Sequence, residues 1–222
     1  MALPTFLELV NDVLVRLREP EVSTVNENVL SKLVGKFVND AKRQVEDAYN
    51  WNALTETITA VTDAAVFNYG LTGTGSRFKV IDVYNYTSAS EMVSVPTSYM
   101  NSQFLTGGTS PPPSGSPEFY NFNGITSSGD TQVDILPVPD KAYTLFFNLY
   151  IPQEALATDA AQMLVPKEPV VLLAKAMALV ERGEDGGLSS SEAYNVIFKS
   201  SLADAITLES SRYPDEDSWG WV

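Results

Sequence analysis

The 222-residue chain contains neither cysteine nor histidine. Without cysteine there are no disulfides, no thiolate nucleophile and no thiolate metal site. Without histidine the chain lacks the commonest general base, the commonest metal ligand and the side chain whose unperturbed charge changes near neutral pH. Basic residues are scarce as well, with 14 Lys and Arg against 28 Asp and Glu and a net charge of −14. Affinity for free nucleic acid rests on Lys and Arg displacing counterions from phosphates, so this balance argues against such a ligand. No run of eighteen or more apolar residues occurs, and nothing reads as a membrane-spanning helix. The opening MALPTFLELVNDVL has no basic n-region or cleavage site of a signal peptide.

Motifs of chemistry are missing too. There is no G-x-x-x-x-G-K-S/T, and Gly70, Gly73 and Gly75 lack the order and following helix of a phosphate loop, so they read as a strand-connecting turn. Asp185 in GEDGG and the acidic run Asp215, Glu216, Asp217 fall short of a cation cage. Sequence spacing alone does not exclude a carboxylate pair for glycoside hydrolysis, but the acids stand mostly singly, on turns. The expectation is a protein that is not an enzyme, with no catalytic, cofactor-binding or metal-binding residues.

The acidic excess is uneven. Residues 1–52 carry six basic and eight acidic groups, whereas residues 53–165 carry three and ten. Either this is a solubilising surface, or it is a surface that repels passing DNA. Composition does not choose between them.

What is present is helical periodicity at both ends. Thr24 and Glu27 have the spacing of a capping box, and Leu30, Val34, Phe37, Ala41, Val45 and Ala48 then recur every three or four residues. This stripe predicts a long helix closing in Tyr49 and Trp51, with Lys32, Lys36, Asp40, Lys42, Arg43 and Glu46 facing water. Before it, Thr5 and Glu8 form another such box, and Phe6 to Leu17 a helix stopped by Pro20. Glu21 to Ser23 would join the two as a helical hairpin. After Gln162, Pro166 and Pro169 suit a first turn, and Val170, Leu173, Ala174, Met177 and Val180 continue an almost wholly apolar helix. GEDGG ends it, and Ser189 with Glu192 predicts the cap of a fourth helix reaching about Ser211.

Between these ends lie short β-branched and aromatic runs about every ten residues, among them Thr55–Thr62, Ala65–Leu71, Arg77–Tyr86, Phe119–Ile125, Thr131–Val138 and Tyr143–Pro152. Thr106 to Pro117 is a Pro/Gly/Ser-rich loop, either a plain connection or a projection that docks on a partner. The fold class expected is α+β: a four-helix bundle of N- and C-terminal hairpins with an inserted small antiparallel sandwich or barrel. The organisation is residues 1–54 (first hairpin), 55–161 (β module with loop 106–117), 162–212 (second hairpin) and 213–222 (an extended arm). Trp219 and Trp221 in that arm, beside Tyr213 and Pro214, either fold back on the chain or anchor in another molecule.

Several stretches together resemble the head-to-tail adaptor proteins of short-tailed bacteriophages, the tail tubular protein A or gatekeeper-like connectors. They are FLELVNDVLVRLRE, KLVGKFVNDAKRQVEDAYNWNAL, RFKVIDVYN, YNFNGI, TQVDILPVPDKAYTLFFNLYIPQ, ERGEDGG and SEAYNVIFKSSLADAITLESSRYPDE. The resemblance spans nearly the whole chain, and its specificity lies in the number and order of packing segments. It implies a structural virion protein of the phage neck, made in the host cytoplasm. Twelve copies would form a ring beneath the portal protein, extend the DNA channel and present a platform to a tail nozzle of the tail tubular protein B kind. DNA would pass without specific binding, and no membrane is involved. On this reading Arg212, Tyr213, Pro214, Trp219 and Trp221 clasp the portal, and Pro111, Pro112 and Pro113 dock on the nozzle or another partner. The alternatives are a receptor- or carbohydrate-binding module using Tyr84, Tyr86, Tyr99 and Phe104, or a tail hydrolase.

Overall fold

The computed structural model describes residues 3–75, 77–105, 112–183 and 187–212. The chain divides into two compact units, Met1–Leu54 with Pro152–Val222, and Thr55–Ile151.

The first unit holds α1 (Phe6–Arg16), α2 (Val29–Ala48), α4 (Lys167–Arg182) and α5 (Gly187–Arg212). The Thr5–Glu8 capping box forms as expected, with Thr5 Oγ1 accepting from Glu8 N and Glu8 Oε2 from Thr5 N. The cap of α2 falls four residues later than expected. Asn28 Oδ1 accepts from Ser31 N and Ser31 Oγ from Asn28 N, while Glu27 turns back to Ser23 N at 2.7 Å. Asn is among the strongest N-cap residues, and Glu27 already has another donor. The connection over residues 17–28 is part of the core. Val22 and Val25 are buried, and the Asn11 side-chain amide both donates to and accepts from the Val22 backbone. Similarly, Ser189 lies inside α5, which begins at Gly187.

The expected pair of hairpins closing into a four-helix bundle is not what forms. The α+β class is compatible, but α4 is a hub on which α1, α2 and α5 all pack. The reason is composition. Nine residues of α4 between Pro169 and Ala178 are buried, so it offers apolar surface on several sides. By contrast, α5 leaves Val196, Ile197 and Leu208 in solvent and lies against α4 rather than walling off a bundle. Gly183, at φ 62°, takes the left-handed conformation that ends α4.

Two charges placed in water by the sequence are inside this unit. Lys42 and Glu46 are 2% and 3% exposed and pair at 2.9 Å, and Lys42 Nζ donates to Gln153 O at 2.7 Å. The extended segment after β10 (Thr144–Tyr150), already part of the helical unit, thus gives the buried ammonium a carbonyl.

The second unit contains ten strands and α3 (Thr97–Leu105). One sheet has the order β1-β10-β3-β4, from Thr55–Val61, Thr144–Tyr150, Lys79–Asn85 and Ser90–Glu91. The other is β2-β8-β7-β5, from Asn68–Leu71, Thr131–Leu136, Phe119–Ile125 and Val93–Ser94. A third pairs β6 (Ser114–Gly115) with β9 (Val138–Pro139). The pairs β5–β7 and β6–β9 are parallel, so the module is not the purely antiparallel sandwich or barrel expected. The connection from β5 to β7 carries α3, the usual kind of crossover between parallel strands, whereas β6 reaches β9 through β7 and β8. Period-2 alternation drives the core: Leu145, Phe147 and Leu149 of β10 and Val83 of β3 point inward with Val133 and Ile135 of β8. Phe147 meets Tyr120 and Phe122 of the other sheet, each with ring centroids 6.5 Å away. At Ile81 the register of β3 against β10 slips, a bulge that leaves Val80 and Ile81 exposed.

Candidate functional site

Two surfaces hold the residues singled out by sequence. In the helical unit, an open cavity of about 430 Å³ is lined by Leu3, Pro4, Trp51, Leu164, Val165 and Arg212, among others. Trp51 forms its floor for a local reason. Its indole N–H donates to Val45 O at 2.7 Å, capping the last turn of α2, and Tyr49 meets it edge-on at 5.3 Å. Around the cavity the elements are tied by ionic and polar contacts. Glu209 of α5 accepts from Asn52 N at 3.1 Å, and Arg212 stands 3.9 Å from Glu209. On α4, Lys167 pairs with Asp12 and Glu168 receives both hydrogen bonds of Arg16 at 3.0 Å. Arg212 therefore ends α5 at the edge of an apolar hollow. Tyr213, Pro214, Trp219 and Trp221 lie outside the described residues.

The outward face of α5 is the larger feature. Phe198, Leu202, Ala205 and Ile206 belong to the core, so the opposite face follows from the 3.6-residue period. Its centre carries Ala193, Val196, Ser200, Ala203 and Thr207, flanked on one side by Ile197, Asp204 and Leu208 and on the other by the exposed Glu192 and Lys199. Val196 is 69% exposed and Leu208 61%. A helix face meant to stay in water normally carries more charge than this.

In the β unit, Pro111 lies outside the described residues, while Pro113 O accepts from Val138 N at 2.8 Å. Pro112 and Pro113 thus run into β6, stitched alongside β9. The four aromatic residues offered as a sugar platform do not come together. Tyr84 and Tyr86 stand on the outward face of the first sheet, whereas Tyr99 and Phe104 sit on α3, against Phe119 and Phe67.

Sequence reasoning missed two polar ladders. On the first sheet Thr57 Oγ1 donates to Asn148 Oδ1, and Asn148 Nδ2 to Asp82 Oδ1, both at 2.6 Å. On the second, Asp134 accepts from Asn68 Nδ2 at 2.7 Å and from Asn123 Nδ2, and Asn123 occupies a second bulge. The signal was present as amide and carboxylate residues at outward alternating positions, but pairing them requires the strand order.

Among the described residues no group of three or more acidic side chains stands where it could hold a metal ion, and no helix is long and apolar enough to cross a membrane. The Asp130 carboxyl is held below its usual range, chiefly by the Gly73 backbone N–H and also by the Ser128 hydroxyl. Burial pushes the Tyr120 hydroxyl up. These shifts belong to a turn and to the core.

Compared with known proteins, the chain matches no family model and no curated protein.

Proposed function

We propose that this is a structural assembly protein without catalytic activity, a head-to-tail adaptor of a short-tailed bacteriophage. Copies stand side by side in a twelve-fold ring between the portal protein and the tail nozzle. The observation that carries this reading is the weakly charged outward face of α5, a 26-residue helix that packs on α4 and leaves Val196, Ile197 and Leu208 in water. Small and β-branched residues at spacings of three and four let a second helix approach closely, so a neighbouring copy is the natural cover. The resemblance of the packing segments to tail tubular protein A supplies the setting, and the acidic surface suits a channel that DNA must leave freely. The arm 213–222 starts at Arg212 and carries the aromatic residues from which interface anchors are made.

The test is sedimentation of the full chain, alone and with the portal ring of its own virus. Full-length protein should shift onto the portal as a ring. Val196→Asp with Leu208→Asp should abolish the ring, and a chain ending at Arg212 should bind the portal more weakly. Full-length protein that neither rings nor binds the portal overturns the reading. Ring formation unaffected by the α5 substitutions overturns the role given to that face.

A further inference from the structure

The outward face of the β1-β10-β3-β4 sheet is composed unlike a protein interface. Alternation sends Thr55, Thr57 and Thr59 of β1, Thr144, Phe146, Asn148 and Tyr150 of β10, and Asp82 and Tyr84 of β3 to this side, with Tyr86 just beyond. Val61 is its aliphatic member and Lys79, opposite Tyr150, its cation, and the paired positions of this side include no Arg, Met or Leu. Dry protein interfaces are enriched in Arg, Met and aromatic residues and are apolar at their centre. Here hydroxyl, amide and carboxylate groups alternate with aromatic rings. The other sheet is covered on its outward side by α3, which packs on β7, where Tyr99 meets Phe119 and Asn121 bonds Val95 O and Thr97. Among the described residues no element of the β unit does the same for the first sheet.

Two features of this face are built. Tyr86, 65% exposed, leans on Phe146 with ring centroids 5.3 Å apart and planes at 40°, forming a shelf that the core does not need. One step of two residues along β10, roughly 7 Å, brings the ladder of Thr57, Asn148 and Asp82. Its two 2.6 Å bonds fix all three side chains before any ligand arrives. A carboxylate has two oxygens and a primary amide two N–H groups, so Asp82 and Asn148 keep hydrogen-bonding capacity beyond the ladder.

We propose that this face binds a neutral oligosaccharide, with one sugar ring lying on the Tyr86–Phe146 shelf and the next hydrogen-bonded to Asp82, Asn148 and Thr57. Sugar C–H groups suit the negative face of an aromatic ring, and vicinal hydroxyls suit alternating donors and acceptors held rigid. The carboxylates of Asp82 and Glu91, the latter opposite Tyr84, outnumber the single ammonium of Lys79 opposite Tyr150, a balance that disfavours anionic polysaccharides and phosphates. This binding site is independent of ring assembly and would stand if the adaptor reading fell.

The experiment uses the full chain with maltohexaose, cellohexaose and chitohexaose as neutral probes and an alginate hexamer as the anionic one. Saturation-transfer NMR and titration calorimetry read binding. At least one neutral hexamer should bind saturably and be weakened about tenfold or more by Tyr86→Ala and by Asp82→Ala. Ile125→Ser, on the other sheet, should leave binding unchanged. Circular dichroism matching the parent secures the fold of each variant. Absence of binding by all three neutral hexamers, tighter binding of alginate, or binding indifferent to Tyr86→Ala would each overturn the proposal. So would a Tyr86→Ala variant that loses portal or nozzle binding while the parent binds no neutral sugar, since the occupant would then be a protein.

Discussion

The two units bury polar groups in opposite ways. The helical unit takes the ion pair of Lys42 with Glu46 into its interior, where the Gln153 carbonyl also accepts from the ammonium. The β unit keeps Asp82 and Asp134 on the outer faces of its sheets, where neutral amides from neighbouring strands donate to them. A buried ion pair is costly to break because one member is left charged in a medium of low polarity. A ladder of neutral hydrogen bonds loses one link at a time, with water able to replace it. Stability in the first unit is therefore concentrated, and in the second it is spread out.

The comparison can be tested unit by unit. All three tryptophans lie outside residues 55–151, with Trp51 in the helical core, so indole fluorescence follows the helical unit and tyrosine near-UV dichroism the β unit. The largest effect is expected from Glu46→Leu alone, which strands the Lys42 ammonium and should cost about 3–5 kcal/mol in urea unfolding followed by fluorescence. Adding Lys42→Met should restore most of it. A double variant no better than the single one would show that the pair is not the concentrated element it is taken to be.

Next comes Gly35→Ala. A methyl group there would lie 2.9 Å from Val25 Cγ1 and 3.1 Å from Phe6 Cζ, and valine has no flexible end to swing away. About 1–3 kcal/mol should be lost, again in the fluorescence transition. A neutral outcome would mean that the loop carrying Val25 yields freely. In the β unit, Asp134→Ala deprives two amides of their acceptor and should cost about 1–2 kcal/mol, seen in the tyrosine signal. A loss as large as that of Glu46→Leu would erase the contrast between the units.

The smallest effect concerns acid. Asp130 has its carboxyl held below the ordinary range by the Gly73 N–H and Ser128. Its contribution is therefore complete above the ordinary carboxylate range and is lost as pH falls through the lowered folded value. Asp130→Asn should lower the stability of the β unit slightly above the ordinary carboxylate range and converge with the parent in acid, which flattens the acid limb of the profile. A profile identical to the parent's would remove Asp130 from the acid response.

Much of the helical unit was legible in the sequence because its signals are local. The α2 stripe of Val34, Ala41 and Val45 is buried, and the Thr5–Glu8 cap follows from spacing alone. The α2 cap was misplaced because Thr24–Glu27 and Asn28–Ser31 both offer capping partners and only the fold of residues 17–28 chooses. Lys42 and Glu46 looked like a surface pair at i, i+4; what buries them is a carbonyl more than a hundred residues away. The hub role of α4 was hidden for a related reason. Its all-round apolar surface says that it is buried on several sides, not by which helices. Helix α3, TSYMNSQFL, shows no clear apolar stripe and left no periodic trace. In β3 the bulge at Ile81 breaks the very alternation by which strands are read. The outward ladders and the Tyr86–Phe146 shelf were illegible until strand order was known. Tyr213, Pro214, Trp219 and Trp221, proposed as portal contacts, and Pro111 of the loop lie outside the described residues and rest on sequence alone.

The chain leaves and re-enters the helical unit at two fastened points. Trp51 and Leu54 are buried at the exit. On the return, Gln153 bonds Lys42 and the Gln162 carbonyl, and the Leu156 backbone exchanges two hydrogen bonds with Asn39. Fastened ends make residues 55–151 a cassette. Over evolutionary time its strands and loops can be rewritten, lengthened or exchanged, while the bookends keep the helical unit in register.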